Sequence, residues 1–256
     1  MTLEFSDHLR LIDERSTAFR AAARSASDLD LPVPSCPDWT LLDLVRHLGG
    51  VQRAWSAIVA VGPADARPVG TTAEFAEGAP RELDALLEWS AESTRLLLDA
   101  LREVGPERGC WTWWGDSQSP QTVGAVARHQ VQEATVHTYD AQLAGGAPEP
   151  LPEEPALDGV DEFLTTCCAT DSPWPHEDAT VDYRATEGGA WRLTLTAQGC
   201  RVTPAPAAGE PGDKADVSAW ASAGELVLML YGRLEIDEVA ADGDRHVIEQ
   251  LRDWEP

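Results

Sequence analysis

The segment RHQVQEATVHTYDAQLAGG, residues 128–146, places His129, Glu133 and His137 four residues apart. Its apolar residues recur with the spacing of one amphipathic helix, and residues four apart on a helix share one face. A helix with three ionisable or metal-binding side chains in one column either turns that column to water or turns it towards something that binds it. The sequence on either side of the segment bears on which of these holds.

Three further stretches of the first half have helical periodicity. Thr40 followed by Asp43 predicts a capping box at the start of the second helix, and Ser6 is a possible N-cap of the first. The pair Gly49–Gly50 indicates a close approach of helices or a bend. Four long helices predict an up-and-down bundle; the predicted helices cover residues 6–25, 41–61, 81–104 and 121–143.

Proline, glycine and acidic residues crowd the segment GGAPEPLPEEPALDG, which indicates a domain boundary near residue 150. We therefore expect a first domain over 1–150 and a smaller one over 151–256. The second part mixes both periodicities, so the predicted fold class is α+β. Its predicted helices are 157–168, 222–231 and 244–254; its predicted strands are 179–186 and 190–197, joined as a hairpin, with weaker candidates at 201–204 and 216–220.

The chain is strongly acidic: 44 Asp and Glu against 19 Lys and Arg give a net charge of -25. Such a surface repels phosphate backbones and anionic lipid, so we expect no nucleic-acid and no membrane partner. No apolar run approaches the roughly 20 residues of a membrane span, and the start, MTLEFSDHLRLIDER, is too charged for a signal peptide. Five cysteines without metal-site spacing predict free thiols. We expect a cytoplasmic protein, a monomer or small homo-oligomer.

Glu133 and His137 can bind one ion from consecutive turns of a helix. A third ligand from another helix would complete the three protein ligands of a catalytic zinc site, which keeps one position open. His47 is the candidate, because it follows Leu44 of an apolar stripe by three residues. The alternative is a hydrogen-bonded core histidine beside a chance spacing. His129 is either a fourth ligand or a solvated residue, and we leave it out.

Three elements in the same order resemble one protein family. They are C-P-x-W-x-x-x-D-L-x-x-H-L-x-G over residues 36–50, E-x-x-x-H-x-x-D-A within residues 132–145, and YGR followed by GD at 231–233 and 243–244. Together they resemble the mycothiol-dependent maleylpyruvate isomerase family, in which a DinB-like four-helix bundle precedes a small second domain. Gln132 stands where many relatives have histidine. One helical step rotates a side chain by about 100°, so we do not expect Gln132 to bind the metal.

The resemblance implies a divalent metal held by His47, Glu133 and His137, with zinc as the first candidate, although such ligands also suit nickel, manganese or iron. It further implies mycothiol as thiol cofactor or cosubstrate. A metal-bound thiolate would attack a small electrophilic substrate, giving cis–trans isomerisation or, by S-transfer, a stable thioether. Two alternatives stay open: a metallohydrolase that uses a metal-bound water, and a non-catalytic protein that binds a small molecule.

The resemblance also singles out Arg233 as a catalytic residue. It would hold a substrate carboxylate by a bidentate contact, and a salt bridge in so acidic a chain is the alternative. Asp140 follows His137 by three residues; it either orients the imidazole of His137 or acts as a cap or a solvent-facing residue. The tryptophans Trp111, Trp113 and Trp114 either line an apolar substrate pocket or pack in the core.

Overall fold

The computed structural model describes residues 3–26, 28–207, 212 and 214–254. The chain divides into two compact units. The first consists of Met1–Trp113 and Gln121–Leu151, and the second of Trp114–Pro120 and Pro152–Pro256. Gln118 ties its short segment to the second unit, because its backbone N–H donates to the carbonyl of Thr165 (3.1 Å) and its side chain donates to the carbonyl of Val202 (2.9 Å).

The first unit is the predicted bundle of four long helices. The elements are α1 (Phe5–Ser25), β1 (Pro32–Val33), β2 (Cys36–Thr40), α2 (Leu41–Val61), α3 (Thr72–Ala76), α4 (Leu83–Val104) and α5 (Val123–Ala144). Helix α1 packs against α4 and α5, and helix α2 packs against the same two. The short helix α3 and the two-stranded antiparallel ribbon β1–β2 were not predicted.

Local chemistry sets where two of these helices begin. The capping box predicted for α2 is present: the N–H of Asp43 donates to the Thr40 hydroxyl (3.3 Å), and the N–H of Thr40 donates to the Asp43 carboxylate (3.1 Å). The predicted cap of α1 was wrong. Its N-cap is Glu4, not Ser6, because the carboxylate of Asp7 accepts the N–H of Glu4 and so starts the helix earlier.

The pair Gly49–Gly50 serves close approach and does not bend α2, which runs unbroken through it. A Cβ on Gly49 would overlap the ring of Trp89 on α4, and a Cβ on Gly50 would lie 2.7 Å from the carbonyl oxygen of Thr72 on α3. The absence of side chains at these positions lets both neighbours pack directly on the backbone of α2.

The second unit is mixed, which confirms the α+β fold class. The elements are α6 (Glu153–Phe163) with a π-helical turn (Leu164–Cys168), β3 (Ala179–Ala185), β4 (Ala190–Thr196), β5 (Gly199–Pro204), β6 (Val217–Ala221), α7 (Ala223–Leu230), a 3-10 turn (Ile236–Glu238), β7 (Ala240–Gly243) and α8 (His246–Asp253). The sheet has the order β5-β4-β3-β6-β7, with β3 and β6 parallel and the other neighbours antiparallel. Helix α7 packs on β3, β6 and α6.

None of the helices in the described part of the chain has both the length and the apolar character that a membrane span requires.

Candidate metal centre

His47, Glu133 and His137 meet inside the first unit. One donor atom from each side chain can be chosen so that all three lie within 4.8 Å of one another. Oε1 of Glu133 lies 3.0 Å from Nε2 of His47 and 3.4 Å from Nε2 of His137. The column at Glu133 and His137 therefore faces α2 in the bundle and is not a solvated face of α5.

The sequence positions these side chains through ordinary helix packing. His47 lies on α2 next to the buried Leu44 and Leu48, so packing of that stripe turns its imidazole inward. Glu133 and His137 occupy consecutive turns of α5. The side chains of His47 and Glu133 keep 28% and 19% of their surface exposed. Two of the three side chains are therefore partly accessible to solvent.

A second layer of side chains fixes the orientation of the two imidazoles. The carboxylate of Asp140, which is fully buried, lies 2.8 Å from Nδ1 of His137 and also accepts the hydroxyl of Ser35. This geometry assigns one proton to Nδ1, so Nε2 is the atom that faces the site and binds a metal once it has lost its own proton. Trp39 lies on β2. The centroid of its ring is 4.6 Å from the ring centroid of His47 and 6.3 Å from that of His137.

The carboxylate of Glu133 and the imidazole of His137 stabilise each other's charged forms. Burial opposes ionisation of Glu133, but hydrogen bonds with His137 and His47 outweigh it and hold the pKa of Glu133 well below its usual range. Burial likewise opposes the charging of His137, but hydrogen bonds with Asp140 and Glu133 raise its pKa to about 9. A metal ion that binds here would displace the additional proton of the charged His137 and take its place beside the carboxylate of Glu133.

The residues present fit a divalent metal ion. Two imidazole nitrogens and one carboxylate oxygen form a set that zinc and related transition metals accept, and three protein ligands leave a position for a further ligand. Metal-binding histidines almost always have a hydrogen-bond partner on the ring nitrogen that does not bind the metal. Asp140 is that partner for His137.

Two other polar residues of α5 are also buried. His129 packs edge-on against Trp113 at 5.7 Å between ring centroids and is not among the three converging residues. This agrees with leaving His129 out of the candidate ligand set. Gln132 is completely buried, and its exclusion rests on the rotation of one helical step.

Arg233 lies in the second unit, just after α7. Its backbone N–H donates to the carbonyl of Leu228 (2.7 Å), and Nη1 donates to the carbonyl of Tyr231 (2.6 Å). Gly232 has φ +72° and so lets the chain turn at this point. The guanidinium is therefore half-buried against the end of α7.

The three tryptophans after α4 have separate surroundings. Trp111 packs 6.3 Å from Trp55 and lies under the guanidinium of Arg67. Trp113 is 51% exposed, and Trp114 is buried and donates its indole N–H to the carbonyl of Pro120 (3.3 Å). These different settings do not support a common role for the three.

Sequence reasoning missed two residues of the site. Trp39 is part of the C-P-x-W element, so the motif offered a signal for it, yet its contact with both histidines comes from the position of β2. Ser35 gave no signal, because its partner Asp140 is 105 residues away in the chain.

Comparison with known proteins agrees with this fold. The family model described as the mycothiol maleylpyruvate isomerase N-terminal domain matches residues 9–142, and the MDMPI C-terminal domain model matches residues 154–250. Crystal structures of a mycothiol-dependent maleylpyruvate isomerase and of a histidine-to-alanine mutant of it align with TM-scores of 0.58 and 0.60 at 15% and 16% identity. Each alignment covers 94% of this chain and 96% of the other. No curated protein sequence matches. The chain belongs to the mycothiol maleylpyruvate isomerase family.

Proposed function

We propose that this chain is a metal-dependent enzyme that uses mycothiol either to isomerise a small electrophilic substrate or to form a thioether with it. The observation that carries the proposal is the meeting of His47, Glu133 and His137 within 4.8 Å in a chain of this family. These three residues would hold the metal ion. Zinc is the candidate that the donor set fits first.

A nucleophilic thiol needs help at neutral pH, since a free thiol has a pKa of about 8.5 and is mostly protonated. The chain's own buried thiols do not supply a thiolate more readily than a free thiol does. Burial raises the pKa of Cys110 to about 11 and that of Cys200 to about 12, and it raises the pKa of Cys168 well above the usual range. These three thiols are therefore poor nucleophiles. For the external thiol of the proposal, a divalent metal at the site would supply Lewis acidity that lowers the pKa of that thiol.

The residues around the proposed metal ion have separate roles in the reaction. Asp140 holds His137 in one tautomer and one orientation, so that Nε2 stays available. Trp39 packs against the imidazole of His47 and lies near that of His137, so it helps to hold His47 in place. The partly exposed His47 and Glu133 mark the side from which thiol and substrate enter.

The test is turnover of maleylpyruvate by zinc-loaded wild type with and without mycothiol, followed by product analysis. The proposal predicts turnover only with the thiol, to a trans isomer or to a thioether. Turnover that proceeds without thiol and consumes water would instead support a metallohydrolase. Absence of turnover and of thiol binding, in protein that holds its metal, would contradict the proposal.

Arg233 is proposed to hold a carboxylate of the substrate. In Arg233→Lys the charge remains but the planar two-donor fork is lost. The expected result is a KM for an anionic substrate raised about tenfold, the cost of one charge-assisted hydrogen bond, with mycothiol affinity and metal content unchanged. Steady-state kinetics against both substrates measure this.

Arg245→Lys is the matched control for Arg233→Lys. Arg245 is also half-buried in the second unit and also donates to a backbone carbonyl, that of Val239 (3.3 Å). Its replacement should leave KM as in wild type. Equal KM values for the two variants would remove Arg233 from the substrate site.

A further inference from the structure

Two buried glutamines of the bundle differ in one respect. Gln52 on α2 and Gln130 on α5 are each 1% exposed. The amide of Gln52 is satisfied at both ends, because Nε2 donates to the hydroxyl of Ser16 (2.9 Å) and Oε1 accepts the hydroxyl of Thr94 (2.9 Å). Neither Nε2 nor Oε1 of Gln130 has a hydrogen-bond partner among the described residues.

An unpaired buried amide is costly, so it calls for an explanation in each case. An apolar side chain of similar size at position 130 would fill the same volume without that cost. The bundle nevertheless buries a group that offers two N–H donors and a carbonyl acceptor. The amide of Gln130 is thus suited to a partner from outside the chain.

The position of Gln130 connects it with the candidate metal centre. It precedes Glu133 by three residues and His137 by seven, so all three lie on one face of α5. Helical side chains lean towards the N-terminus of their helix, so the side chain of Glu133 leans over the turn that carries Gln130. A molecule bound beside Glu133 would have the preceding turn of this face, which carries His129 and Gln130, as its next neighbour.

We propose that Gln130 binds an uncharged hydrogen-bonding group, a carboxamide or a hydroxyl, of the small molecule that occupies the metal centre. This inference rests on the proposed function. A group with both a donor and an acceptor satisfies both ends of the amide, whereas a carboxylate would leave the carbonyl of Gln130 unpaired. The thiol and the electrophilic substrate are two sources of such a group, and experiment distinguishes them.

The test compares Gln130→Met with Gln52→Met in zinc-loaded protein. Metal content, melting temperature, the Kd for mycothiol by calorimetry and the KM for maleylpyruvate are measured for each. Gln130→Met should keep its metal and melt no lower than wild type, because it removes an unpaired group. Its Kd for mycothiol, or its KM for maleylpyruvate, should rise about tenfold, the cost of a lost hydrogen bond to ligand. The constant that rises identifies the source of the group.

Gln52→Met should show the opposite pattern, a lower melting temperature with both constants unchanged, because it leaves Ser16 and Thr94 unpaired. Gln130→Asn, which withdraws the amide by one methylene, should repeat the ligand effect of Gln130→Met. Wild-type constants in Gln130→Met, or a loss of stability alone, would overturn the assignment of Gln130. A wild type that binds neither compound would instead contradict the proposed function.

Discussion

Replacing His137 with alanine is expected to lower the metal content from about one equivalent per chain to a small fraction of that, since two protein ligands hold a divalent ion poorly. Thiol-dependent turnover should fall to background with it. The reason is geometric: His137 supplies one of the three donor atoms that meet at the site. Elemental analysis of protein purified without a metal-scavenging tag measures the first effect, and the mycothiol-dependent rate measures the second.

His129→Ala is the control for His137→Ala. His129 is a buried histidine of the same helix, two turns earlier, and it packs against Trp113 away from the three donors. Its loss should alter stability at most and leave a full equivalent of metal. If His129→Ala loses the ion while His137→Ala keeps it, the ligand assignment is wrong.

Asp140→Asn is expected to weaken metal binding by about 10- to 100-fold, the usual cost of losing the outer partner of a metal-binding histidine. An asparagine amide can turn its N–H towards Nδ1 of His137. The imidazole proton would then move to Nε2, the atom that faces the site. Competition with a chelator of known affinity measures the change.

Asp182→Asn separates this effect from a general loss of stability. Asp182 is also completely buried, and it pairs with Arg192 (2.6 Å) and Arg184 (2.7 Å) in the second unit. Breaking that cluster should destabilise the protein without changing the affinity for metal. Metal affinity at the wild-type level in Asp140→Asn would show that Asp140 is only a structural residue.

Much of the bundle was predictable because its signals are local. Thr40 and Asp43 lie three residues apart, and the box they form starts α2 where the sequence indicated. Strand β7 was missed because its residues, Ala240–Gly243, are mostly exposed and show no alternation. The helix predicted from residue 157 begins at Glu153, since Pro152 suits a helix start and the acidic first turn favours the helix dipole.

The candidate ligands were predictable for a related reason. Glu133 and His137 are separated by one helical turn, and His47 belongs to an apolar stripe, so periodicity alone turns all three inward. The supporting layer depends on contacts between distant segments. Ser35 makes a hydrogen bond to Asp140, and Trp39 packs on His47. Both contacts require the ribbon β1–β2 to lie beside α5, and no local sequence pattern predicts that arrangement.

We propose that a metal ion held by His47, Glu133 and His137 enables the chain to bind a thiol. Calorimetric titration of mycothiol into metal-free and zinc-loaded wild type measures whether thiol binding needs the metal. We expect saturable binding of about one mycothiol per chain to the loaded protein, with release of protons, and no measurable binding to the metal-free protein. Equal affinity for both forms, or no binding to protein that holds its zinc, would contradict it.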